Sequence, residues 1–157
     1  MRVLLAVDGS PWSEAAVNEV ASRPWPSNSK FRIVSAFQMP LSPTPEAGAI
    51  QPEYYDEMER AVRAQAQKVV DVASTRLKKA FSLAMNVTGQ VLAGPPQSAI
   101  IEEAELWKAD LIVVGSHGYG TWHRLVLESV SQAVVLLAKC SVEVVRRSDE
   151  SREVKAA

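Results

Sequence analysis

The 157-residue sequence holds one cysteine, Cys140, and two histidines, His117 and His123. A lone cysteine excludes an internal disulfide and points to a reducing compartment. With two histidines it does not make a zinc-ligand set. Charge of either sign is not in excess, since 17 Lys and Arg oppose 18 Asp and Glu for a formal net charge of −1. No overall field therefore recruits nucleic acid or an anionic membrane, and neither is expected as a partner. Uninterrupted apolar stretches stay well short of the roughly 18 residues a membrane span requires. The opening run Val3-Leu4-Leu5-Ala6-Val7 stops at Asp8, too soon for the apolar region of a signal peptide. No Gly-Lys-Ser or Gly-Lys-Thr run exists, so a P-loop is excluded. These absences predict a soluble, cytoplasmic protein.

What is present is an ordinary globular balance, 47% hydrophobic and 22% charged, in a chain long enough to bury a substantial core. Two periodicities alternate along it. Residues 3–7, 31–37, 86–92, 111–114 and 142–145 are short apolar or alternating runs that predict strands. Ser10 suits a helix N-cap and Pro11 the first helical position, so a helix is expected to about Ser22. Met58, Val62, Ala66, Val69, Ala73, Leu77 and Ala80 recur at steps of three and four, which predicts a long amphipathic helix. Further helices are expected after Gly94-Pro95-Pro96, through Trp107, and over 129–138. Four prolines and Gly48 within 39–52 predict a surface loop or lid. Residues 1–147 are expected to form one domain, with 148–157 a flexible charged tail.

Five strands alternating with four helices predict an α/β fold, an open parallel sheet covered on both faces. On such folds ligands sit outside the carboxyl ends of strands, where the winding direction reverses. Two of those ends carry polar residues, Asp8 after the first strand and 115–118 after the fourth. If these strands are neighbours, the two loops share a crevice.

Gly115-Ser116-His117-Gly118, followed ten residues later by Glu128-Ser129-Val130-Ser131, resembles the nucleotide loop of the universal stress protein family. That motif has two glycines three apart, nine spacer residues, then Gly-Ser or Gly-Thr. The opening Val3-Leu4-Leu5-Ala6-Val7-Asp8-Gly9-Ser10, the block Ala109-Asp110-Leu111-Ile112-Val113-Val114-Gly115 and the ending from Ala138 to Val145 extend the resemblance over nearly the whole chain. The resemblance implies a Rossmann-like, adenine-nucleotide alpha-hydrolase-like sheet of order 3-2-1-4-5. It implies a regulatory module rather than an enzyme, binding ATP or AMP, with Mg2+ or Mn2+, between the first and fourth strands. Asp8 would contact the nucleotide or its metal, and the backbone of Ala36 the adenine. Gly115, Ser116, His117, Gly118, Ser129, Val130 and Ser131 would hold the phosphates, and a homodimer would form through the last strand, residues 142–145.

The physics of that loop is independent of the name. Gly115 and Gly118 permit a sharp turn and close backbone approach, and a helix N-terminus near Ser129 offers unpaired N–H groups to an anion. Glu128 departs from the pattern, since it stands where the nucleotide binders have their third glycine. Its carboxylate faces the place of the phosphates and meets the helix field itself. A cation shared by Glu128, Asp8 and phosphate would turn that repulsion into a bridge. The alternative reading is a dimeric interaction protein of the stress response that binds no nucleotide.

Other patterns carry less. Ser116 lacks the flanking glycines of a hydrolase elbow, and Gly118-Tyr119-Gly120 has His123 where a dinucleotide fingerprint needs glycine. His123 and Arg124 are expected as exposed loop residues, Cys140 as a small hydrophobe. Trp12, Trp25, Trp107 and Trp122 are expected as core or cover, and Glu102, Glu103 and Glu105 as a solvated helix face.

Overall fold

The protein is described by a computed structural model covering residues 1–39, 52–81, 85–117 and 130–147. Its elements run β1 (Arg2–Ala6), α1 (Pro11–Ser22), β2 (Lys30–Phe37), α2 (Pro52–Phe81), β3 (Asn86–Ala93), α3 (Pro96–Trp107), β4 (Leu111–Gly115), α4 (Val130–Leu137) and β5 (Ser141–Val145). All pairings are parallel, in the order β3-β2-β1-β4-β5. The central strand β1 pairs Val3 with both Phe31 and Leu111, and Leu5 with both Ile33 and Val113.

Burial on both faces explains why β1 and β4 are apolar throughout rather than alternating. Val3, Leu5, Phe31, Ile33 and Val113 point to one face, where Val17 and Val20 of α1 and Val70 and Leu77 of α2 cover them. Leu4, Val34 and Ile112 point to the other, against Ile100 and Ala104 of α3 and Val134 of α4. On α2 the buried residues are Ala66, Val70, Ala73 and Leu77. Val70, outside the expected series, is fully buried at the centre of the stripe, Val69 packs half-buried beside it, and Ala80 is exposed.

Helix ends follow their local chemistry. Ser10 is the N-cap of α1, its Oγ accepting from the Ser13 amide at 3.2 Å, and Pro11 opens the helix. Arg23, extended before Pro24, closes it. Arg23 then pairs through both guanidinium nitrogens with Glu143 of β5, at 2.7 and 2.6 Å, and with Glu19. Those hydrogen bonds, Glu143 first, raise its pKa above the ordinary arginine value. Lys108 ends α3 in the left-handed region (φ 56), and the Ala109 amide bonds back to the Ala104 carbonyl at 2.8 Å.

One sequence expectation is corrected. Glu103 does not belong to a solvated face; only 7% exposed, it forms an ion pair with Arg32 of β2 and accepts from Gln90 of β3 at 3.3 Å. Arg32 is the one charge within the buried run of β2, so it needs a carboxylate from the helix above. Its guanidinium also lies 4.7 Å over the Trp107 ring. Glu102 and Glu105 are exposed as expected. Trp25 covers the first core, edge-on to Phe31 at 5.4 Å, with its indole N–H donating to the Val20 carbonyl. Cys140 is half-buried against the second core; burial, with the Asp110 carboxylate second, pushes its thiol pKa up, as suits an unreactive position. The lid expected within 39–52 falls, except for its two ends, outside the described residues, as does the tail at 148–157.

Candidate functional site

The chain winds from β1 outward to β3, then returns across the sheet to β4 and β5. The direction therefore reverses between β1 and β4, where the carboxyl ends of two neighbouring strands open a crevice. Continuing the β1–β4 register beyond Leu5 and Val113 brings Asp8 level with Ser116.

The first wall is the turn into α1. Asp8 Oδ1 accepts from the Ser10 amide at 2.9 Å, and Gly9 adopts φ 80, a conformation costly for any residue with a Cβ. The Gly9 amide donates to Ser13 Oγ at 3.1 Å, and the Glu14 amide to the Ser10 carbonyl at 3.0 Å. With these amides satisfied internally, the start of α1 is a shaped rim rather than an anion cradle.

The second wall follows β4. The Ser116 amide donates to the Val145 carbonyl at 2.8 Å, so β4 and β5 stay paired to the edge of the crevice. Ser131 Oγ donates to the Ser116 carbonyl at 3.3 Å and ties the first turn of α4 to β4. His117 is exposed, its Nδ1 lies 3.1 Å from Ser116 Oγ, and its ring lies 5.4 Å from that of Trp12. The Arg147 guanidinium lies over the other end of this cluster, 5.9 Å from the Trp12 ring.

Gly115 has a role that spacing alone did not reveal. A Cβ built there would sit 2.7 Å from the Trp12 carbonyl carbon and 2.9 Å from the Ser13 amide nitrogen. The glycine is therefore required where the α1 backbone crosses β4, before any ligand is considered. On the third side, β2 outlasts its pairing with β1, which ends at Ala6 and Val34 with the Val7 amide on the Val34 carbonyl. Ala36 lies beyond that point, paired on its other side with Leu92.

The structure thus brings Asp8, Ala36, Gly115, Ser116, His117, Val130 and Ser131 to one end of the sheet. Gly118 and Ser129, with Glu128, His123, Arg124 and Trp122, lie outside the described residues. Among the described residues no three His, Cys, Asp or Glu side chains gather to hold a metal ion. No helix among them is long and apolar enough to cross a membrane.

The sequence profile of the universal stress protein family matches residues 1–146. The chain belongs to that family. A universal stress protein of Thermus aquaticus, named for its place in the 3′ region of a QAH/OAS sulfhydrylase, is 31% identical over 145 residues, 92% of this chain and 97% of that protein. Solved universal stress proteins share the fold. One from Arabidopsis thaliana, with AMP bound, aligns at TM-score 0.68 and 20% identity over 96% of this chain and 94% of its own. Another, in complex with cAMP, aligns at 0.65 and 26% identity over 93% and 96%. The family fold and the sheet order 3-2-1-4-5 are those the sequence resemblance implied.

Proposed function

We propose that this universal stress protein is a cytoplasmic regulatory module that binds an adenine nucleotide, ATP or AMP, in the crevice between β1 and β4. The observation that carries the reading is the reversal of winding at β1 and β4, with Asp8 and Ser116 level across it. The overhang of β2 at Ala36 leaves strand backbone facing the same space, suited to hydrogen-bonding the edge of a planar base. The relatives with AMP and with cAMP support the ligand class. Phosphates would lie toward Gly118 and Ser129, where a helix N-terminus provides amides that the self-satisfied start of α1 does not.

Glu128 is the feature that favours the second reading, a dimeric interaction protein without nucleotide. Its carboxylate would sit beside the phosphates unless a divalent cation bridges them. The two readings separate by mass spectrometry of the supernatant from purified, denatured protein. AMP or ATP released in proportion to protein is the expected result, and its absence together with failure to bind added nucleotide favours the second.

Catalysis is not expected. His117 is engaged by Ser116 and Trp12, and neither a P-loop lysine nor an arginine clamp can be named from the sequence to position a transferring phosphoryl group. Purified protein should hydrolyse ATP far below the roughly one turnover per second of slow dedicated phosphoryl-transfer enzymes. A malachite-green phosphate assay that finds such a rate contradicts this.

Both readings share a homodimer through β5. Because the Val145 carbonyl points to β4, the Val144 amide points to the open edge of the strand. Val144 is 38% exposed, and Val135 and Leu136 of the neighbouring α4 are exposed as well. An apolar edge of this kind invites pairing with its own copy. Val144→Pro removes an outward donor while sparing the β4 ladder, and should shift sedimentation from dimer to monomer. An unchanged dimer places the interface elsewhere.

A further inference from the structure

A second cleft lies on the sheet face covered by α1 and α2 and meets the β1–β4 crevice at the Asp8–Gly9 turn. It is an open groove of about 400 Å3 between the two helices, with Val17, Val69 and Ala73 along its floor. Val72 lines it too and is 62% exposed, a large aliphatic side chain with water as its neighbour.

Charge is divided across this cleft. The α1 wall carries Glu14, with Asp8 at its upper end; the α2 wall carries Lys68 and Arg76, eight residues apart along one helix face. Glu14 and Lys68 make no ion pair or hydrogen bond among the described residues. Arg76 spends one nitrogen on the neutral Asn18 amide, 3.0 Å away on α1, which ties the helices at one end and leaves the guanidinium charge unneutralised. Glu14 on one wall and Lys68 and Arg76 on the other are thus held over an apolar floor instead of cancelling one another.

That arrangement selects its ligand by exclusion. A simple anion meets Glu14, a simple cation meets Lys68 and Arg76, and an uncharged apolar molecule leaves both walls without partners. A polyanion such as a nucleoside triphosphate meets the acidic wall as well. The Arg76–Asn18 bridge closes one end, and the volume of the groove suits a small molecule rather than a folded segment.

We propose that this cleft binds a free α-amino acid with a branched aliphatic or aromatic side chain. The ammonium faces Glu14, the carboxylate faces Lys68, and the side chain covers Val17 and Val72. Since Asp8 and Gly9 line both this cleft and the rim of the β1–β4 crevice, the occupant rests against the same turn that shapes the crevice.

The test is calorimetric titration of the full chain with L-leucine and L-phenylalanine, and with 4-methylpentanoate and 3-methylbutylamine, which each keep leucine's side chain but one of its charges. Saturable binding of at least one amino acid is expected, with both single-charge analogues weaker by roughly ten- to a hundredfold, the scale of a lost charge-assisted contact. Lys68→Met and Glu14→Gln should each weaken the amino acid by a similar factor. Both positions are exposed, so unchanged melting temperatures verify that the fold is intact. The proposal is overturned if neither amino acid saturates at millimolar concentration, if an analogue binds as tightly as leucine, or if both variants bind like the wild type.

Discussion

Gly115→Ala is expected to destabilise the protein by about 3 kcal/mol, the upper part of the range for overpacking a filled site. The added Cβ would meet the Trp12 carbonyl carbon at 2.7 Å, its oxygen at 2.8 Å and the Ser13 nitrogen at 2.9 Å. These are backbone atoms of the first turn of α1, so no rotamer change relieves the clash. Relief requires α1 to lift from β4, which would open the core around Val17 and Val113. For a chain of this size the melting temperature should fall by roughly 6–12 °C. Thermal unfolding by circular dichroism measures it, and a variant as stable as the wild type would show that α1 does not pack on β4 as described. The same substitution displaces the turn carrying Asp8, so under the proposed nucleotide reading affinity should fall with stability.

Arg32→Met should cost about 2–4 kcal/mol, the scale for removing one partner of a buried ion pair, reduced because Arg32 keeps some contact with water. The loss comes from what stays behind. Glu103 would keep a carboxylate under α3 with only the long Gln90 contact to satisfy it. The double variant Arg32→Met, Glu103→Leu removes the stranded charge and should recover most of the loss. Urea titration of the wild type, the single and the double variant reads both steps. A single variant within about 0.5 kcal/mol of wild type, the range of ordinary surface substitutions, would mean the pair is solvated after all.

The sequence announced the sheet clearly because each strand is a short apolar or alternating run bounded by turn residues. Ser10-Pro11 marked the start of α1, and Asp110 the approach to β4, so those boundaries agree with the structure to within a residue or two. Long-range partnerships were harder to see. Glu103 looked like one of three glutamates on a polar helix, and the clue to its burial lay 71 residues away, in a lone arginine inside an apolar strand. Gly115 was legible as a glycine that must be a glycine, but the reason differed. Spacing suggested a phosphate, whereas the atoms that fill its missing Cβ belong to Trp12 and Ser13. Asp8 likewise matched the family pattern, and only the structure shows it shaping its own turn through Ser10. The stack of Trp12, His117 and Arg147 joins three segments that no local periodicity connects.

The most direct test of the nucleotide reading is calorimetric titration of AMP and Mg-ATP into the wild type and Glu128→Gly. On that reading the substitution would remove a carboxylate from the third glycine position of the motif and allow the backbone there to approach the phosphates. The account predicts saturable binding at one site per chain, with Glu128→Gly tighter for ATP by roughly ten- to a hundredfold. Failure of both proteins to bind either nucleotide would contradict it, and the crevice between β1 and β4 would then need a different occupant.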